Sequence, residues 1–260
     1  MISKMQLKWI YKNLYLSQEI RNKYLYQFND YTILGQNFID TTYLMVVEVR
    51  DTSYSSKSSF YIIKENVKNP KMSELKVDIY RDNYIRLNQD GLKEILGEKI
   101  FKKLLQNGLF KSKKKRDYNA RTSMQRLVAC LYANITGFEI HHINKNKSDN
   151  RFVNLVPLDG DTNKRIESLP KEEMIQFGET KHNEWVEQIN KRKRSTLSEN
   201  SLLIYDILSH SIGKKVKEVH RLFKDKIKSI KVIGKILNIF FYKENFLKYL
   251  KLNNIDIYGC

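Results

Sequence analysis

The sequence predicts an α+β protein, with a β-rich N-terminal part, a central strand–loop–strand–helix unit and a helical C-terminal part. Three observations predict it. β-Branched and aromatic runs crowd residues 43–64, and apolar residues recur at helical spacing through 91–106. Asn, Asp, Lys and Ser fill residues 144–154 between two short apolar segments. The chain has 260 residues, enough for one large domain or two to three small ones. At 41% hydrophobic and 29% charged it is not a wholly disordered chain.

Residues 1–30 set Trp9, Ile10, Leu14, Ile20 and Leu25 among charges and read as one or two short helices. Tyr43–Val49 and Phe60–Ile63 read as a hairpin across the turn-like Asp51–Ser56, and Lys76–Leu87 can add strands. Leu92, Ile95, Leu96, Ile100, Phe101 and Leu104 predict one amphipathic helix over 91–106, ended by Asn107-Gly108. Ser123 is the expected N-cap of a helix to Tyr132. A helix is expected over 171–190, then a boundary in the charged stretch 191–196. Short helices follow near 200–208, 216–223, 229–237 and 246–252. The division expected is 1–110, an α+β region of unread role; 111–190, the unit holding the chemistry; and 195–260, a helical region.

Charge narrows the partner class. Lys and Arg number 47 against 29 Asp and Glu, a net +18 with pI near 9.6. Such an excess favours polyanions, because each cation meeting a phosphate releases a condensed counterion. No apolar run of about 18 residues exists and no charged-then-apolar leader opens the chain, so no membrane partner is expected. Cys130 and Cys260 form no C-x-x-C pair, which argues against a zinc knuckle and fits a cytoplasmic location. Between 191 and 260, sixteen Lys and Arg face six acidic residues, a local net +10. Short helices under that charge point to a helix-turn-helix-like DNA reader. The bland alternative is a helical bundle with a basic surface.

The segment from Phe138 to Leu158 reads Phe-Glu-Ile-His-His-Ile-Asn-Lys-Asn-Lys-Ser-Asp-Asn-Arg-Phe-Val-Asn-Leu-Val-Pro-Leu. A strand, a polar loop and a second strand are expected, with Pro157 at an edge. A helix capped by Asp161 or Thr162 should follow, carrying Asn163. His141 and His142 are adjacent on a strand and point to opposite faces, so one can sit beside a metal while the other meets substrate. Geometry alone does not say which. A hairpin folded onto the helix would bring both to Asn163. An imidazole suits proton abstraction at neutral pH, and a hard cation with few protein ligands suits Mg²⁺.

This run resembles the HNH endonuclease motif, in particular the phage and intron-encoded homing type. The His-His pair, the Asn-Lys-x-x-Asn-Arg loop and the following x-x-Asn-Leu are similar to the family pattern. Gln125-Arg126-Leu127-Val128-Ala129 resembles its upstream helix, with Gln in place of a leading His. The resemblance covers roughly residues 123–168. It implies a ββα-metal nuclease core within 111–190, acting on double-stranded DNA. In that reading His142 is the general base and Asn154 the middle residue that ties the loop to the strand. His141 and Asn163 are the metal ligands, an H-N-N variant. An amide ligand favours Mg²⁺ or Mn²⁺ over Zn²⁺. Arg151, Lys164 and Arg165 are candidate phosphate contacts, as are the run Lys113, Lys114, Lys115 and Arg116 and, in the C-terminal region, Lys231 and Lys235. A solvated charged surface is their ordinary alternative. The expected activity is site-specific DNA cleavage, homing or phage-associated. The competing readings are a non-catalytic nucleic-acid-binding regulator on a decayed HNH fold and a non-specific defence or toxin nuclease.

Overall fold

In the computed structural model, the described residues are 20–39, 42–50, 58–65, 71–79, 84–110, 121–195, 203, 207, 215–227 and 229–240. They belong to two compact units, one spanning Tyr24–Asn190 and the other taking residues before and after it. Each unit is described by itself.

The larger unit begins with an antiparallel meander. β1 (Tyr31–Ile39), β2 (Thr42–Arg50), β3 (Ser58–Glu65) and β4 (Lys71–Glu74) pair in sequence order. The β2–β3 pairing, Tyr43 opposite Glu65 through Arg50 opposite Ser58, is the expected hairpin. The expected turn 51–56 lies outside the described residues. Thr42 through Val47 are all buried, so β2 is covered on both faces. The flanking strands β1 and β4 were not legible in the sequence. The β1–β2 register shifts between Ile33 and Gly35. A Cβ on Gly35 would lie 2.9 Å from Val128 Cγ1, so glycine is what lets the helix bearing Val128 settle on this sheet.

A second sheet orders β5 (Val77–Ile79), β6 (Ile85–Asn88) and β7 (Arg121–Ser123), all antiparallel. Between β6 and β7 the chain forms α1 (Gln89–Leu96) and α2 (Glu98–Gln106). The single helix expected over 91–106 is therefore two. Gly97 breaks it at φ 79, a left-handed conformation that costs glycine little. Lys64 Nζ donates to the carbonyls of Ile95 and Leu96 at 2.9 and 3.3 Å and so closes the end of α1.

α3 (Met124–Cys130) is buried along its whole length and packs against β1, β6, β7, β8 and β9. Ser123 is its N-cap by position, as expected, but makes no side-chain capping bond. Around α3 one hydrophobic core gathers Leu34, Phe60, Leu87, Phe101, Leu104, Leu127, Leu155 and Trp185. The meander, α1–α2 and the segment 121–190 thus share one core, with no separation at residue 110.

The hairpin β8 (Glu139–His142) and β9 (Leu155–Leu158) is followed by α4 (Gly160–Glu167) and the long α5 (Lys171–Ser195). The N-cap of α4 is Asp159 rather than Asp161 or Thr162. Its carboxylate accepts from Thr162 N at 2.8 Å and from Thr162 Oγ1 at 2.7 Å. Ile143, Val156, Leu158, Ile166 and Met174 make a small second core that clamps the hairpin to both helices.

In the C-terminal unit, α6 (Val216–Leu222) and α7 (Ile230–Phe240) pack through Val219, Phe223 and Ile233, with Ile207 buried beside them. Lys217, Arg221, Lys224, Lys226 and Lys231 are exposed. Lys235 falls on α7. The helix expected at 246–252 and the basic run Lys113, Lys114, Lys115 and Arg116 lie outside the described residues. Among the described residues no helix is long and apolar enough to cross a membrane.

Candidate active site

The hairpin presents its two histidines to different partners, as side-chain alternation along a strand requires. His141 is paired with Val156 across the hairpin and His142 with Leu155. Both imidazoles are buried.

His141 meets α4. Its Nδ1 lies 3.1 Å from Asn163 Oδ1, across the 22 residues that separate them in sequence. The orientation of Asn163 follows from chemistry, because its Nδ2 donates to Glu139 Oε2 at 3.1 Å and a carboxylate can only accept there. Asn163 therefore turns its oxygen to His141, and Nδ1 carries the proton. The imidazole lone pair then falls on Nε2, a buried atom with no hydrogen-bond partner. A buried acceptor without a donor is unfavourable by about 1–3 kcal/mol. A cation would remove that deficit, and metal-bound imidazoles characteristically donate their other N–H to an oxygen acceptor. Among the described residues no three His, Cys, Asp or Glu side chains converge as a metal cluster. A metal at Nε2 would rest on His141 and water, a set that suits a hard, well-hydrated ion, while Asn163, expected as a second ligand, accepts from the opposite ring nitrogen and orients the ring instead.

His142 meets the loop. Its Nε2 lies 3.2 Å from Oδ1 of the fully buried Asn150, whose Nδ2 donates to Ser148 O at 3.2 Å. By the same logic Nε2–H donates to Asn150, and Nδ1 holds the lone pair of a neutral ring. Burial pushes the His142 pKa below the ordinary imidazole value. The Asn150 bond raises it back in part, His141 and Lys147 lower it, and Asp149 raises it. Burial likewise lowers His141, against the bond to Asn163. Both rings are thus held in the uncharged form that can accept a proton or ligate a cation.

A consequence for acid stability follows. The folded state binds fewer protons at these rings than the unfolded chain, whose imidazoles titrate near pH 6.5. Stability is full above that pH and is lost as pH falls through the lowered folded values. In chelator, the urea midpoint should fall between pH 7.5 and 5.5. The fall should shrink in a His142→Gln variant; an equal fall in both chains would contradict this account.

The loop itself has little regular structure, and a short 3₁₀ turn (Phe152–Asn154) leads into β9. It holds its shape through side chains. Asn154 Oδ1 accepts from Asn144 N at 2.9 Å, while its Nδ2 donates to Asn144 Oδ1 and Asp149 O at 2.9 and 2.8 Å. Asn144 serves the turn, its Oδ1 accepting from Asn146 N at 2.8 Å, and is also the reciprocal partner of Asn154. Asn146 also serves the turn, accepting from Ser148 N at 3.1 Å. Lys145 takes a left-handed φ of 63. Asn154→Ala removes three part-buried bonds that brace the loop, so stability should fall by about 1–3 kcal/mol. Thermal melting checks it, and an unchanged melt would show the network to be dispensable.

Of the expected cations, Arg151 is engaged by Asp149 in a two-pronged pair at 2.7 and 2.6 Å. The hydrogen bonds and charge of the Arg151 guanidinium hold the Asp149 carboxyl below its usual range. Lys164 and Arg165 are exposed on α4. Sequence reasoning passed over Glu139, Asn150, Lys147 and Tyr84. Glu139 and Asn150 each fix one of the site's side chains. Tyr84 precedes β6, and its ring centroid lies 6.1 Å from that of His142. No local pattern marks it, since it comes from 58 residues upstream of His142.

No family model matches this chain, and neither a curated protein nor a solved structure matches it.

Proposed function

We propose that the chain is a metal-dependent DNA endonuclease of the HNH type, site-specific and homing or phage-associated, with a ββα-metal core formed by β8, β9 and α4. The observation that carries the reading is the hairpin's double juxtaposition. His141 meets Asn163 with a buried lone pair to spare, and His142 is held neutral by Asn150.

In the reaction His142 Nδ1 takes a proton from the water that attacks phosphorus. The bond from Nε2–H to Asn150 Oδ1 fixes the ring and strengthens as the imidazolium forms. Glu139 orients Asn163, Asn163 orients His141, and Asn154 braces the loop that carries Asn150. His141, through Nε2, is the residue that would hold Mg²⁺ or Mn²⁺, with Asn163 fixing its ring from the Nδ1 side. When bound, the ion supplies charge stabilisation to the phosphoryl oxygens and the departing 3′ oxygen. The net charge of +18 and the exposed cations of α6 and α7 support DNA as the substrate.

The test incubates the chain with duplex DNA of mixed sequence in Mg²⁺ and in EDTA. Mg²⁺-dependent nicks or discrete fragments are expected. Random degradation would favour a non-specific nuclease. Salt-sensitive binding without cleavage on any DNA, unchanged by the loss of His142, would favour a binding regulator.

A further inference from the structure

We propose that Tyr84, from the segment entering the second sheet, holds Lys147 beside His142 so that the lysine grips a phosphate of the DNA backbone at the reacting site. The inference rests on the nuclease reading and adds a substrate contact and a positioning residue to it.

Lys147 is exposed on the polar loop, five residues after His142. Its Nζ lies 4.8 Å from the centre of the Tyr84 ring, inside the range of a cation–π contact. The same ring lies tilted at 47° against the His142 imidazole. Tyr84 thus bridges the lysine and the base. It is half-buried and immediately precedes Ile85, the first residue of β6, which is the middle strand of its sheet. A long lysine on an open loop otherwise samples many rotamers, and a ring beneath the ammonium narrows them.

The charge balance distinguishes Lys147 from its neighbour. Arg151 is occupied by the Asp149 carboxylate. Among the described residues no carboxylate pairs with Lys147. A ring face neutralises no charge, so the ammonium keeps two or three donors for an anion. Next to a general base for phosphodiester hydrolysis, the anion that fits is a backbone phosphate. The N-terminal part of the chain then contributes directly to the site.

The experiment measures affinity of the full chain for a short DNA duplex in EDTA across a salt series, alongside Mg²⁺-dependent nicking. Lys147→Met should flatten the slope of log affinity against log salt by about 0.9, the loss of one phosphate contact. Tyr84→Leu should weaken binding in the same direction by less, and Tyr84→Phe should restore wild-type behaviour because the ring, not the hydroxyl, carries the contact. If Tyr84→Leu fails to fold, Lys147→Met on the exposed loop still decides. An unaltered slope in Lys147→Met, or equal losses in Tyr84→Phe and Tyr84→Leu, overturns the proposal while wild-type nicking leaves the nuclease reading standing. A wild-type chain that neither binds nor nicks DNA overturns both.

Discussion

His142→Ala is expected to lower phosphodiester hydrolysis by about 10²–10⁴-fold, the contribution typical of a positioned general base. DNA affinity should stay near wild type, because His142 is buried and its part in the proposed reaction is proton transfer rather than phosphate binding. Two controls make the result interpretable. His142→Ala strands the Asn150 oxygen, which alone would be destabilising by about 1–3 kcal/mol. His142→Gln can supply a donor to Asn150 but no titrating base. If both variants lose cleavage while Gln recovers the melting temperature, the loss belongs to proton transfer. Cleavage at wild-type rate by either variant would remove His142 from the mechanism.

Arg126→Met should produce the largest loss of stability, about 3–5 kcal/mol, with a fall in Tm on the order of 10 °C. Arg126 is buried in α3 and donates only to backbone carbonyls in the contacts described. Nε and Nη2 reach Gly108 O at 3.1 and 2.7 Å, and Nη1 reaches Phe138 O at 2.8 Å. Burial lowers its pKa, against the attraction of Cys130 and Glu139. The guanidinium staples the loop after α2 to the residue just ahead of β8, so its removal leaves two carbonyls without donors and frees the approach to Glu139 and His141. Lysine cannot reproduce the fork, and Arg126→Lys should recover less than half of the loss. Melting curves decide it; a change under about 1 kcal/mol would mean that water replaces the guanidinium.

What the sequence showed and what it hid follow from the range of the interactions. The hairpin β8–β9, the polar loop and α4 are local, built within some 30 residues from alternation, turn formers and a cap, and they were legible. So was the closure of His141 onto Asn163, which needs only a hairpin folded onto the next helix. Asn150, among the turn formers of 144–154, was hidden because an Asx turn and a buried orienting amide have the same sequence signature, whereas Asn144 does form such a turn. Tyr84 was hidden for a different reason. It reaches His142 through a sheet whose third strand is separated from the second by two helices, and nothing in local periodicity reports such a pairing. The break at Gly97 was missed because the apolar rhythm continues across it and only the backbone changes hand.

The continuous core around α3 also bears on how the chain can be divided. A fragment starting at residue 111 would keep every residue of the candidate motif, yet it would lose the sheets that cover α3. Met124, Leu127, Val128 and Leu131, all buried in the intact unit, would be left facing water on one side. An apolar strip of that kind drives self-association. The motif is therefore no autonomous module here: a soluble miniature of this unit would have to retain the meander from residue 24 onward, or have that strip redesigned with polar side chains.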